Sequence, residues 1–209
     1  MRLLAAAALA AALVSYPVLA EGYEPRNECL NIPGYVDFER KFVTAVVNRN
    51  EDMIVALAAP EILLDFGGGS GREEFRRRLS DPYYNLWDEL AELLPLGCGS
   101  RDGKGVSLPW YWTQDFGDDP FSTFLVIGSD VPMHTGPDAN SSVMGKLTWI
   151  DVALVGEWNP ENEFAHIRGP SGQTGYVRWE HLRSQIDYRL LAGPDEDGAW
   201  SIGYFVAGN

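Results

Sequence analysis

Residues 131–137 read VPMHTGP and residues 172–177 read GQTGYV. Around them lie short apolar runs: FLVIG (124–128), VMGKL (143–147), WIDVALVG (149–156), EFAHIRG (163–169) and TGYVRW (174–179). Gly, Pro, Asn and Asp separate the runs, and helical spacing is absent from Thr123 onward. Short strands at intervals of about ten residues predict a small barrel or sandwich. Gly172 and Gly175 bracket a tight reversal, from which Tyr176 and Val177 start the returning strand.

Upstream the pattern is helical. In DFERKFVTAVV (37–47), Phe38, Phe42 and Val46 fall at i, i+4 and i+8, one stripe of a helix. Asn50 is placed to cap a second helix through Met53, Ile54, Leu57 and Ala58, with Pro60 ending it. EILLDF (61–66) suits a strand. The glycines at 67–69 and 71 lack the Lys-Ser/Thr of a phosphate loop. They are read as a strand-to-helix turn, with Ser70 and Glu73 in capping-box spacing. Phe75 and Leu79 give the next helix its buried face. Asp81-Pro82 is read as the start of a helix carrying Leu86, Leu90, Leu93 and Leu94.

Between the two patterns lies LPWYWTQDFGDDPFSTF (108–124). Its rings are expected to pack a seam between two parts, with a stacking surface for sugars or Pro-rich peptides as the alternative. After the β-rich stretch, Ile186–Leu191 and Ala199–Val206 flank a polar turn and predict a hairpin, with Trp200, Ile202, Tyr204 and Val206 on one face. An isolated hairpin is marginal in water. It is expected to return to the N-terminal part and complete its sheet, which makes the β-rich stretch an insertion.

Composition sets the outer bounds. Of 209 residues, 45% are hydrophobic and 12% aromatic, enough to bury a core and to exclude disorder. The formal net charge of −14 disfavours nucleic-acid binding through phosphates and adhesion to anionic membranes. Residues 1–20, MRLLAAAALAAALVSYPVLA, have the basic start, apolar middle and small-residue exit of a signal peptide. No later run is long and apolar enough to span a membrane, so no integral membrane segment is expected after cleavage. An exported, periplasmic or secreted chain with two cysteines, Cys29 and Cys98, is expected to pair them. Two unpaired buried thiols are the alternative. The three histidines, His134, His166 and His181, show no paired spacing, so no metal and no cofactor are expected.

Taken together, VPMHTGP, VMGKL, Phe164–Ile167, GQTGYV and His181-Leu182 resemble the bacterial SH3-like (SH3b) domain over residues 124–183. His134, Phe164 and Tyr176 depart from the residues usual in that family. FGGGSGREEF (66–75) and LWDELAELLPLGC (86–98) more weakly resemble an NTF2-like (cystatin-like) cone. The fold class expected is α+β: a helix-rich N-terminal part (21–120) whose sheet is completed by a C-terminal hairpin (185–209), with an SH3-like barrel (121–184) between them. The SH3b resemblance implies recognition of peptidoglycan peptides or partner proteins in the cell envelope, with aromatic walls against extended peptide. The candidate binding residues are Trp149, Trp158, Phe164, Tyr176 and Trp179. Residues 21–120 contain no histidine, and no Cys-His, zinc or glycosidase signature is found. The expectation is a non-enzymatic binding protein. The alternatives are a cell-wall hydrolase targeted by the barrel and a small-molecule pocket in the cone.

Overall fold

A computed structural model describes residues 22–114, 119–159 and 161–208. The leader read at 1–20 lies outside the described residues, as do Asp115, Phe116 and Asp118 of the aromatic connector. The chain is α+β. It runs α1 (Tyr35–Val47), α2 (Glu51–Leu57), β1 (Ala58–Leu63), α3 (Arg72–Ser80), α4 (Leu86–Leu93) and β2 (Val106–Leu108). There follow β3 (Thr123–Val126), β4 (Val131–His134), β5 (Val143–Leu147), β6 (Asp151–Leu154), β7 (Phe164–Arg168), β8 (Thr174–Arg178) and β9 (Leu182–Ser184). The chain ends with β10 (Arg189–Pro194) and β11 (Trp200–Val206).

Two sheets result. The first has the order β1-β11-β10-β2, so the C-terminal hairpin sits between strands from the N-terminal part. The helices cover one face of it through Tyr35, Phe42, Ile54, Phe75, Leu90 and Leu93, which meet Leu190, Ile202 and Phe205 in one core. The second has the order β5-β4-β8-β7-β6-β3-β9. Phe124, Val126, Val131, Met133, Val152, Ile167 and Val177 bend this sheet around a core of its own. At β8, Gly175 lets β4 come close: a Cβ there would lie 2.7 Å from Met133 Cγ and 2.9 Å from the His134 carbonyl oxygen.

The expected barrel is not closed. Closure needs first and last strands to meet in register. Here β5 and β9 end the sheet; β9 is three residues long, and β5 leaves Val143 and Met144 exposed.

Local expectations shift for identifiable reasons. The Asn50 side chain caps α2 by accepting the Met53 N–H at 3.0 Å. That helix ends at Leu57, however, and Pro60 lies inside β1. Proline is tolerated there because β1 is an edge strand. The Ser70–Glu73 capping box does not form: α3 starts from Gly71, whose φ is 89°, without a side-chain cap, and Ser70 bridges to Leu63 instead. Asp81 caps only a turn, through the Tyr83 N–H, and α4 starts after Asn85. The second hairpin strand does not keep Trp200, Ile202, Tyr204 and Val206 on one face. Leu191 pairs with Tyr204 and Ala192 with Ile202, so Gly203 is an extra residue, a bulge that puts both Ile202 and Phe205 into the core and Tyr204 outside.

Cys29 and Cys98 form a disulfide, with Cα atoms 5.8 Å apart and a sequence separation of 69. It anchors the segment at 26–29, where the Cys98 N–H donates to the Arg26 carbonyl at 2.8 Å and the Glu28 N–H to the Cys98 carbonyl at 2.9 Å. No helix among the described residues is long and apolar enough to cross a membrane.

Candidate functional site

The two sheets meet at a seam of rings. Pro109 leads into a 3-10 turn, Trp110–Thr113, which buries Trp110 and Tyr111. They cluster with Leu96 from the 3-10 turn Leu94–Leu96 after α4 and with Leu125 from β3, flanked by Tyr23, Ile127 and Trp149. At the centre of the polar part is Arg183 of β9, only 3% exposed. Its guanidinium donates to the Tyr111 hydroxyl (3.0 Å), to Glu92 of α4 (2.9 Å) and to the Tyr188 carbonyl (2.9 Å). Asp187 adds an ion pair at 3.5 Å. Burial raises the Tyr111 hydroxyl to about 12, keeping it protonated in its bond with Arg183. Burial, then the charges of Asp187 and Glu92, push the nearby Glu89 carboxyl up to about 7.

Trp179 is the hub of the surface next to this seam. It opens a 3-10 turn, Trp179–His181, directly after β8. Its ring meets Phe124 edge-on at 5.5 Å, and its backbone N–H donates to the Glu163 carbonyl. The indole Nε1 is buried and unpartnered. Three clefts share this side chain as a wall.

The first cleft, about 440 Å³, brings Phe164, Tyr176 and Trp179 together. Phe164 and Tyr176 come from the antiparallel strands β7 and β8, where His166 pairs with Tyr176 in register. Side chains opposite one another on such strands share a face. The His166 and Tyr176 rings accordingly stack at 4.6 Å, 14° from parallel. Phe164 forms the floor: it is buried, lies edge-on to His134 at 5.5 Å and carries the Arg178 guanidinium over its face at 5.0 Å. Asn159, Asn162, Glu157 and Glu163 supply polar groups on the wall, beside the apolar Pro137, Leu154 and Val155. This combination of ring faces and amide side chains suits an extended peptide, whose backbone needs hydrogen-bond partners and whose side chains need apolar contacts.

The other two candidates lie elsewhere. Trp158, 65% exposed, lines a cleft of about 650 Å³ with Trp179, Phe121, Phe124 and Ile186. Trp149 lines the third, about 610 Å³, at the seam itself. Sequence reading missed His166 as a cleft residue, although the register of β7 against β8 places it beside Tyr176. It also missed the seam group Glu92, Arg183 and Asp187, whose members are 91 and 4 residues apart and carry no motif. The three histidines stay apart: His134 is buried with Nδ1 3.1 Å from the Ser141 carbonyl, His166 stacks on Tyr176, and His181 lies 3.8 Å from Glu180. Among the described residues no group of three or more His, Cys, Asp and Glu is placed to hold a metal ion.

Comparison with protein families, with characterised proteins and with solved structures finds no match to this chain.

Proposed function

We propose that this is an exported cell-envelope protein whose seven-stranded, SH3-like part binds extended peptide in the cleft of Phe164, Tyr176 and Trp179, without catalysing a reaction. The observation that carries the reading is the convergence of these three rings with polar amides on one open cleft. The SH3b resemblance implies peptides of peptidoglycan as the ligand class, with an envelope protein as the other partner it allows. The disulfide fits an oxidising compartment. The helical part and its four-stranded sheet serve as a scaffold that fixes the binding part through the Arg183 seam.

The test is co-sedimentation of the full mature protein with insoluble peptidoglycan, with the supernatant assayed for released muropeptides. The wild type is expected in the pellet, and Tyr176→Ala is expected to lower retention by about tenfold, a loss on the scale of one aromatic anchor. Equal retention of wild type and variant would remove the cleft from the account. Release of muropeptides would replace the binding reading with that of a hydrolase.

A further inference from the structure

The cleft lined by Trp158 has a chemistry different from the peptide cleft. Two of its rings, Trp158 and Phe121, are each 65% exposed. They come from separate segments, the link between β6 and β7 and the turn that leads into β3. Side-chain hydrogen bonds order both segments. Asp119 accepts the Phe121 N–H at 3.1 Å and the Ser122 hydroxyl at 2.7 Å, and Asn159, next to Trp158, accepts the Glu161 N–H at 3.1 Å. A single exposed ring needs no explanation, but two that converge on one cleft make an apolar surface fit for a partner. Ordering them in advance lowers the entropy cost of binding.

The polar groups of this cleft are few and already engaged. Among the described residues Asp187 is its one charged side chain: Oδ1 accepts the Tyr188 N–H at 2.7 Å, and Oδ2 pairs with Arg183 at 3.5 Å. Ser184 Oγ accepts the Ile186 N–H at 3.3 Å. An extended peptide brings an N–H and a carbonyl with every residue, and the described wall has no amide side chain to meet them. A charged ligand finds no free counter-charge. The arrangement suits an uncharged ligand with a flat apolar face and polar groups along its edge.

We infer that this cleft binds an uncharged β-1,4-linked glycan, with a pyranose ring stacked by its C–H face on Trp158 and Phe121. In a ring whose substituents are all equatorial, the axial C–H bonds make each face apolar and slightly positive. That complements the negative face of an indole or phenyl ring. The hydroxyls project outward in the plane of the sugar, and the open side of the cleft leaves them hydrated, so few protein partners are needed. The volume, about 650 Å³, lies in the range of ligand pockets. Trp179 is a wall of this cleft and of the peptide cleft, so a glycan that carries a peptide reaches both. Only that continuity rests on the function proposed above; the stacking chemistry stands on Trp158 and Phe121.

The test titrates the full mature protein with tri-N-acetylchitotriose and, separately, with acetyl-pentaproline amide, read by calorimetry and by tryptophan fluorescence. The trisaccharide is expected to bind saturably and with the same affinity at low and at moderate salt, since it carries no charge. Trp158→Ala is expected to weaken it at least about tenfold and Phe121→Ala about threefold, the scale of single stacked rings. Both side chains are 65% exposed, so folding is spared. Trp158→Phe keeps a ring face and is expected to retain most of the affinity. Tyr176→Ala, outside this cleft, is expected to leave the trisaccharide unaffected. Absence of saturation up to about 10 mM trisaccharide, indifference to Trp158→Ala and Phe121→Ala, or tighter binding of the proline peptide would each overturn the inference. If the trisaccharide binds as described while Tyr176→Ala leaves retention on peptidoglycan unchanged, the glycan site stands and the peptide cleft falls.

Discussion

Asp65 shows how one side chain organises a turn. It ends the strand region before the glycines, and its Oδ1 accepts the N–H groups of Gly67 (2.7 Å) and Gly69 (2.9 Å), while Oδ2 accepts from the buried Arg78. The Gly69 N–H first, then Arg78, pull the carboxyl down to about 2. A Cβ at Gly69 would fall 2.0 Å from an Arg78 nitrogen and 2.2 Å from Asp65 Oδ2, so a side chain there would displace this ion pair. Asp65→Ala is expected to cost about 1–3 kcal/mol in urea denaturation at neutral pH, because turn donors and part of a buried cation lose their acceptor. A lowered carboxyl contributes stability above its unfolded value near 4 that is lost as pH falls toward 2. The variant's deficit is therefore expected to shrink over that window. The Arg78 contact was not legible, since it depends on how α3 packs on β1.

Glu89 behaves with the opposite sign. Its carboxyl is raised to about 7 by burial, then by Asp187 and Glu92. The folded protein then holds a proton that the unfolded chain has released, so this group lowers stability as pH rises from about 4.5 to about 7. Glu89→Gln is expected to flatten that slope and to stabilise the protein at pH 8 by about 1–2 kcal/mol. Melting temperatures across pH 5–8 for both proteins measure it. A parallel pair of curves would contradict the assignment.

At the scale of elements, periodicity located most helices and strands and failed where one residue changes the count. The stripe of Phe38, Phe42 and Val46 marks α1, because a helix must bury one face. The bulge at Gly203 reversed the alternation in β11, and nothing in GAWSIGYFV states which residue is extra; that is decided by pairing with Leu191 and Ala192. Pro60 misled for a related reason: whether proline ends a helix or sits in a strand depends on the strand being at an edge. The disulfide is the element-level staple. Replacing Cys29 and Cys98 together by Ala is expected to lower stability by up to about 4 kcal/mol, the chain-entropy value for a loop of this size. Free-thiol titration should find none in the unfolded oxidised protein and two after reduction.

At the scale of the molecule, two sheets with separate cores are joined by rings and by one buried guanidinium. The chain order already suggested that the last hairpin leaves the β-rich part, because a hairpin with an apolar face needs a partner. The open edges of the seven-stranded sheet were not legible, since strand length and closure depend on register. Arg183→Met leaves the Tyr111 hydroxyl, Glu92 and Asp187 without their shared donor. It is expected to cost about 3 kcal/mol and to separate the unfolding of the two parts, seen as non-coincident far-ultraviolet dichroism and tryptophan fluorescence transitions. A single coincident transition would mean that the rings alone couple them.

The candidate rings were legible because aromatics in a small β unit either fill its core or face a ligand. Which of them meet was not, since β7 and β8 bring Phe164, His166 and Tyr176 together only in their observed register. The most direct measurement is nuclear magnetic resonance of the labelled full mature protein titrated with a soluble peptidoglycan stem peptide. Peptide recognition in that cleft predicts saturable shifts at residues 163–166 and 176–179, including the Trp179 indole N–H. Absence of saturable shifts there, with the peptide in large excess, would contradict it.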